Sequence, residues 1–206
     1  PARRPADSRR AVWHDAADEN MILDDSTLEL AGPDPAEILR RVFGHPGFRG
    51  RQEEIIRHVV AGGSGLVLMP TGGGKSLCYQ VPALCREGLA VVVSPLIALM
   101  EDQVAAMRQQ GIAAAALHSD LDEEAAREVR RALAQGELKL LYVSPERLTN
   151  PRFREEQLPG LVARCGLVVV DEAHTSIAPT SVSGKSQAHL RYALLRKLAD
   201  DPDRHL

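Results

Sequence analysis

Apolar runs that do not alternate are the feature that most restricts this chain. "AVVVS" ends at Ser94 and "LVVVD" ends at Asp171, with similar runs between them. A strand with one wet face alternates polar and apolar residues, whereas a continuous run marks burial on both faces. On this reading strands cover Leu66–Met69, Ala90–Ser94, Ala113–Leu117, Lys139–Val143 and Leu167–Asp171. Helical spacing fills the intervals, at about Lys75–Leu84, Ile97–Gln110 and Asp122–Gln135, and Gly111 and Gly136 are candidate C-caps. Strand, helix, strand repetition of this kind predicts an α/β fold, a mainly parallel sheet with helices on both faces. With 44% hydrophobic residues but only 3% aromatics, its core must be built from Val, Leu, Ile and Ala. No internal repeat is visible.

Order is expected to begin at Asp34, which can N-cap a helix that Pro35 opens; "AEILRRVF" then has helical spacing up to Gly44. "RQEEIIRHVVAGG" reads as a second helix, with Ile55, Ile56, Val59 and Val60 on one face and Gly62 as its stop. Residues 1–33 read as a flexible tail, in which "MILDDSTLEL" forms a strand or a loose helix. The basic start "PARRPADSRR" has no apolar segment behind it and is not a secretory signal. It also lacks an initiator Met, which points to an incomplete start. A net charge of −3 excludes binding to polyanions by bulk electrostatics, so any nucleic-acid contact must be local. Three cysteines, Cys78, Cys85 and Cys165, have no metal-like spacing and fit a reducing compartment. No apolar run approaches the ~18 residues of a membrane span.

Two motifs lie at strand ends. "LVLMPTGGGKSLCYQ" sets three glycines and a lysine between a strand and a helix. Glycines let backbone N–H groups converge on phosphate oxygens, and the helix N-terminus adds its positive dipole end. In such a loop Thr71, Gly72, Gly73 and Gly74 cradle the phosphates, Lys75 reaches the β and γ phosphates, and Ser76 ligates Mg²⁺. Met69 occupies the position where the usual pattern has its first Gly. The second motif, "LVVVDEAH", ends a buried strand in Asp171 and Glu172. Carboxylates there lie in the crevice where α/β sheets bind ligands. Asp171 would hold Mg²⁺ through water, and Glu172 would orient or deprotonate the attacking water. By contrast "SVSGKS", residues 181–186, follows no apolar strand and reads as a loop, and His118 has no partner spacing and reads as a core or surface residue. "DLDEEAAREVRR" reads as a solvated helix face.

"MPTGGGKSLCYQ" and "VVVDEAH" resemble motifs I and II of superfamily 2 helicases, and the chain most resembles the RecQ DNA helicases, from about Ile38 to His174. "VFGHPGFRGRQEEII" resembles their motif 0, "VVVSPLIALMEDQV" motif Ia and "LLYVSPERL" motif Ib. The resemblance implies a first RecA-like lobe over 34–174, using ATP and Mg²⁺ to drive 3′–5′ translocation and unwinding. It adds His174 to the catalytic group of Lys75, Asp171 and Glu172. It assigns adenine recognition to Gln52 with Arg49 nearby. A Gln amide offers one donor and one acceptor, so it can match adenine N6 and N7 together. It assigns the single-strand track to Ser94, Pro95, Leu96, Pro145, Glu146 and Arg147. Implied partners are single-stranded and forked DNA and a second RecA-like lobe. Implied settings are DNA repair and recombination in a bacterial cytoplasm, at the nucleoid.

After "DEAH" the resemblance ends. No Trp or Phe occurs between Thr175 and Leu206, where the family has an aromatic-rich loop, and no motif III strand follows. In RecA-like sheets that strand lies between the phosphate-loop strand and the motif II strand, so both are expected to have unpaired edges. Residues 175–206 read as a divergent or truncated tail, and the chain as a fragment inactive alone. A DEAD-box-like RNA helicase lobe and a non-catalytic nucleotide-binding remnant are the rival readings.

Overall fold

The computed structural model describes residues 10–14, 32–70 and 72–172. The patch at 21–30, the loop at 181–186, the tail at 175–206, Thr71 and His174 lie outside them. The chain divides after Glu87 into two compact units.

The first unit contains β1 (Arg10–His14), α1 (Pro35–Arg41), α2 (Gln52–Val60), β2 (Ser64–Leu68) and α3 (Leu77–Cys85). The apolar stripe of α2 explains its place. Ile56 packs with Leu39 of α1 and with Val81 and Cys85 of α3, flanked by Ile38, Phe43, Phe48, Val60 and Leu77. Ile55 turns to Cys78, beside Val67 and Met69. Asp34 occupies the N-cap position before Pro35, as the sequence implies, but its carboxylate makes no cap hydrogen bond. β2 pairs in parallel with β1, from Arg10 opposite Ser64 to His14 opposite Leu68. Reading residues 1–33 as a flexible tail missed that strand, because "RAVWH" carries no long apolar run and lies in a stretch dominated by Arg, Asp, Pro and Ala.

The second unit contains β3 (Leu89–Val93), α4 (Ile97–Gln109), β4 (Ala114–Leu117), α5 (Glu123–Gln135), β5 (Leu140–Val143), α6 (Pro145–Thr149), α7 (Pro151–Glu156), α8 (Leu158–Arg164) and β6 (Cys165–Val170). Its four strands form a parallel sheet in the order β4-β5-β3-β6. Val91 and Val93 pack with Leu117, Val143, Val129, Leu148, Phe153 and Leu161. Val92, on the opposite side of the same strand, is as fully buried as Val91, so both faces are covered. The α/β class and the parallel sheet agree with the sequence pattern, with strand ends shifted by one or two residues. The short helices α6, α7 and α8 were not foreseen. A proline in the first turn of each, Pro145, Pro151 and Pro159, is the signal that announces them. Among the described residues β6 pairs only with β3 and β2 only with β1. Among the described residues the second edge of β6 has no strand beside it, while β2 has found one neighbour.

Candidate functional site

In the first unit the residues expected to bind nucleotide converge on the loop that leaves β2. Gly72 and Gly74 have φ of +82° and +80°, the left-handed region where only glycine is unstrained. A Cβ at Gly72 would meet nothing within 4 Å, so the loop is open there. One at Gly74 would run into Gln52 Nε2. The loop closes on itself through Gly73 N–H to Pro70 O, 3.0 Å, and Leu77 N–H to Gly74 O, 3.1 Å. Ser76, at the N-cap of α3, makes no cap hydrogen bond with its side chain. Lys75 is half-buried. Left-handed glycines with an open position at Gly72, a lysine and a hydroxyl at a helix start fit a polyphosphate.

Met69 has a physical reason to replace the usual glycine. It is half-buried against Ile55 and Cys78, and the Cys78 thiol lies 3.8 Å from its sulfur. The loop is thus anchored by a side chain at its entry. Burial pushes the Cys78 thiol up to about 11, so it stays protonated.

Gln52 does more than the resemblance implies. It is 1% exposed. Its Oε1 accepts from Arg49 N–H at 2.8 Å, and its Nε2 donates to Gly73 O at 3.3 Å and Gly74 O at 3.2 Å. Both ends of the amide are engaged, and they tie the Arg49 loop to the glycine loop. Arg49 itself is exposed.

In the second unit a polar residue follows each strand. The ladder runs one residue past the strands through Ser144 N–H to Leu117 O (3.1 Å), Ser94 N–H to Val143 O (3.2 Å) and Asp171 N–H to Val93 O (2.9 Å). The register therefore sets His118, Ser144, Ser94 and Asp171 in one row across the C-terminal edge of the sheet. All four are buried, Asp171 the least at 8% exposed. Asp171 Oδ1 accepts from Glu172 N–H at 3.0 Å. Glu172 has φ +47°, the only positive φ outside glycine among the described residues. That conformation costs about 1–2 kcal/mol. Such strain collects at functional sites, where surrounding structure holds it.

Of the residues assigned to a nucleic-acid strand, Leu96 and Glu146 are exposed, Pro95 and Arg147 are half-buried, and Ser94 and Pro145 are buried. Ser94 therefore presents no hydroxyl at the surface in this conformation. His118 and Ser144 are the members of the row that sequence reasoning passed over. The argument that selected Asp171, a polar group at the end of a buried strand, would have found both.

Comparison with known proteins follows this geometry. Residues 49–201 match the DEAD/DEAH box helicase family. The ATP-dependent DNA helicase RecQ of Haemophilus influenzae is 48% identical over 143 residues, which are 69% of this chain and 22% of that protein. RecQ of Synechocystis is 48% identical over 139 residues, 67% of this chain and 29% of that protein. RecQ of Bacillus subtilis is 46% identical over 138 residues, 66% of this chain and 23% of that protein. The chain spans less than a third of the length of these relatives. Among solved structures, the DUF1998 helicase MrfA aligns with a TM-score of 0.62 at 19% identity, over 83% of this chain and 28% of that one. The Mycobacterium smegmatis helicase Lhr, bound to ssDNA and AMP-PNP, aligns with a TM-score of 0.58 at 21% identity, over 81% of this chain and 24% of that one. At such identities these two speak for the fold alone.

Proposed function

The chain belongs to the DEAD/DEAH box helicase family, as the first RecA-like lobe of the RecQ type, and on that premise we propose that it binds Mg-ATP and serves ATP-driven 3′–5′ unwinding of DNA within a longer helicase. The observation that supports the nucleotide reading is the glycine loop, open at Gly72, with Gly72 and Gly74 in the left-handed region ahead of Lys75 and Ser76. Backbone N–H groups of the cradle hold phosphate oxygens, and Lys75 adds a charge-assisted contact. Ser76 in the first unit and Asp171 in the second are each a hard oxygen donor of the kind Mg²⁺ prefers. The bound metal would neutralise charge on the β and γ phosphates. Glu172 orients the attacking water, and Asp171 fixes the Glu172 backbone through the 3.0 Å contact. Single-stranded DNA is the partner of the loops before α4 and α6. The RecQ relatives favour DNA over the RNA of a DEAD-box-like lobe.

Titration with a fluorescent ATP analogue tests the cradle. Lys75→Ala should weaken binding by about 1.5–3 kcal/mol, roughly tenfold or more. Equal affinities would show that the loop binds no triphosphate. Unwinding needs two lobes that move against each other, and charge-stabilising arginines supplied to a nucleotide contribute about 10³–10⁵ in rate in other NTPases. The 206-residue chain alone should therefore hydrolyse ATP slowly and unwind no forked duplex. Robust unwinding by it would sink that part of the proposal.

A further inference from the structure

His118 is not accounted for by packing. It follows the wholly apolar strand β4 and is 2% exposed. Its Nδ1 has no hydrogen-bond partner among the described residues. A buried polar atom without a partner costs free energy that leucine at the same place would avoid. What the residue does have is two connections. Its Nε2 lies 3.3 Å from Oε1 of Glu101, on the second turn of α4, a polar contact that does not meet hydrogen-bond geometry. Its backbone carbonyl accepts from Arg147 Nε, on α6, at 3.2 Å. Next to it in the row, the Ser144 and Ser94 hydroxyls are buried and also lack hydrogen-bond partners among the described residues. The loops that contain those serines lead directly into α6 and α4.

We propose that His118 is a positioning residue for the nucleic-acid track: its ring sets α4 through Glu101 and its carbonyl sets α6 through Arg147, which fixes the spacing of the two strand-binding loops. The inference rests on the reading of the loops before α4 and α6 as strand-binding. The ring contact governs how α4 is turned about its axis. That rotation aims the first N–H groups of α4, and the exposed Leu96 and Leu99, at whatever lies over the sheet edge. The carbonyl contact restrains α6 without using the ring, so a change of side chain at 118 should act mainly on α4.

The test measures two affinities on the whole chain, by fluorescence anisotropy with a labelled oligo-dT and by titration with a fluorescent ATP analogue. His118→Leu keeps the volume and loses the contact, and it should weaken oligo-dT binding on the order of fivefold with nucleotide affinity unchanged. His118→Gln places an amide where Nε2 stood and should restore binding. Glu101→Ala gives the sharper arm, because Glu101 is 60% exposed and its loss leaves the fold intact. Removing a carboxylate near a polyanion by charge alone tightens binding. If Glu101 acts through His118, its removal weakens binding, and the double variant is no weaker than either single one. Binding to Glu101→Ala that is unchanged or tighter overturns the inference and leaves the strand reading intact, as does equal loss of nucleotide affinity in His118→Leu. Failure of the unaltered chain to bind oligo-dT overturns the strand reading and the inference with it. If His118→Leu does not fold, the sign of the Glu101→Ala effect decides.

Discussion

β2 and β3 have similar sequences, "SGLVL" and "LAVVV", and different fates. β3 lies between β5 and β6 and every residue of it is buried. β2 has β1 as its neighbour among the described residues, and Leu66 and Leu68 are 51% and 46% exposed. An apolar run therefore reports a strand's capacity for burial, while its realisation depends on partners elsewhere in the chain. The stability of the two units should divide the same way. Leu141→Ala, in the fully buried β5, should destabilise by about 2–5 kcal/mol, and Leu68→Ala by less than about 1 kcal/mol. Urea unfolding of both variants checks this. A cost for Leu68→Ala as large as that for Leu141→Ala would mean that β2 is covered in solution, and the comparison would fail.

The same difference explains what could be read from the sequence. The second unit was legible because its strands share one pattern, a short continuous apolar run. "LAVVV" and "LLYV" are buried on both faces, and "CGLVVV" carries the same run although it is only half-buried. The glycine loop and the strand-end carboxylate Asp171 were legible as a pattern, because phosphate and metal chemistry would demand rare residues at fixed places. β1 was not, since pairing with β2 is a long-range choice that five residues do not encode. The bracing of the loop by Gln52 was not either. A glutamine near a nucleotide site suits adenine equally well on paper, and only the fold shows its amide spent on Arg49, Gly73 and Gly74.

That bracing separates the two functional ends. Asp171 is pinned by the backbone ladder, through its N–H to Val93 O, whereas the glycine loop has, besides its own turns and the Met69 anchor, a side-chain brace from Gln52. Gly74→Ala breaks the loop from within, since it forces a φ of +80° on alanine and drives its Cβ into the Gln52 amide. It should cost about 1–3 kcal/mol and most of the nucleotide affinity. Gln52→Ala removes the brace from outside. The adenine role alone would lower discrimination between ATP and GTP and spare the triphosphate contacts. With the brace included, affinity for both nucleotides should fall, by about 1–2 kcal/mol for the lost hydrogen bonds. Titration of both nucleotides separates the two: a loss confined to ATP would show that the brace is dispensable.

The smallest effect sharpens the comparison at helix starts. Asp34 opens α1 and Asp122 opens α5, and both have the extended backbone of an N-cap residue. Only Asp122 makes the cap, its Oδ1 accepting from Ala125 N–H at 2.8 Å. α5 also ends in Gly136, with φ +74°, the C-cap that the sequence implies, so both of its ends are closed. Asp34 instead turns its carboxylate to Arg57 of α2, 3.4 Å away, and both groups are more than two-fifths exposed. An exposed ion pair contributes little, because water screens it and two side chains must be held still. Asp122→Ala should therefore cost about 1 kcal/mol and Asp34→Ala only a few tenths. Amide hydrogen exchange in the first turns of α5 and α1 resolves the two, as faster exchange in α5 of the first variant and little change in α1 of the second. Equal acceleration would show that Asp34 swings back to cap α1 in solution. In that event the helix starts of the two units would be built alike, and their difference would lie in the strands alone.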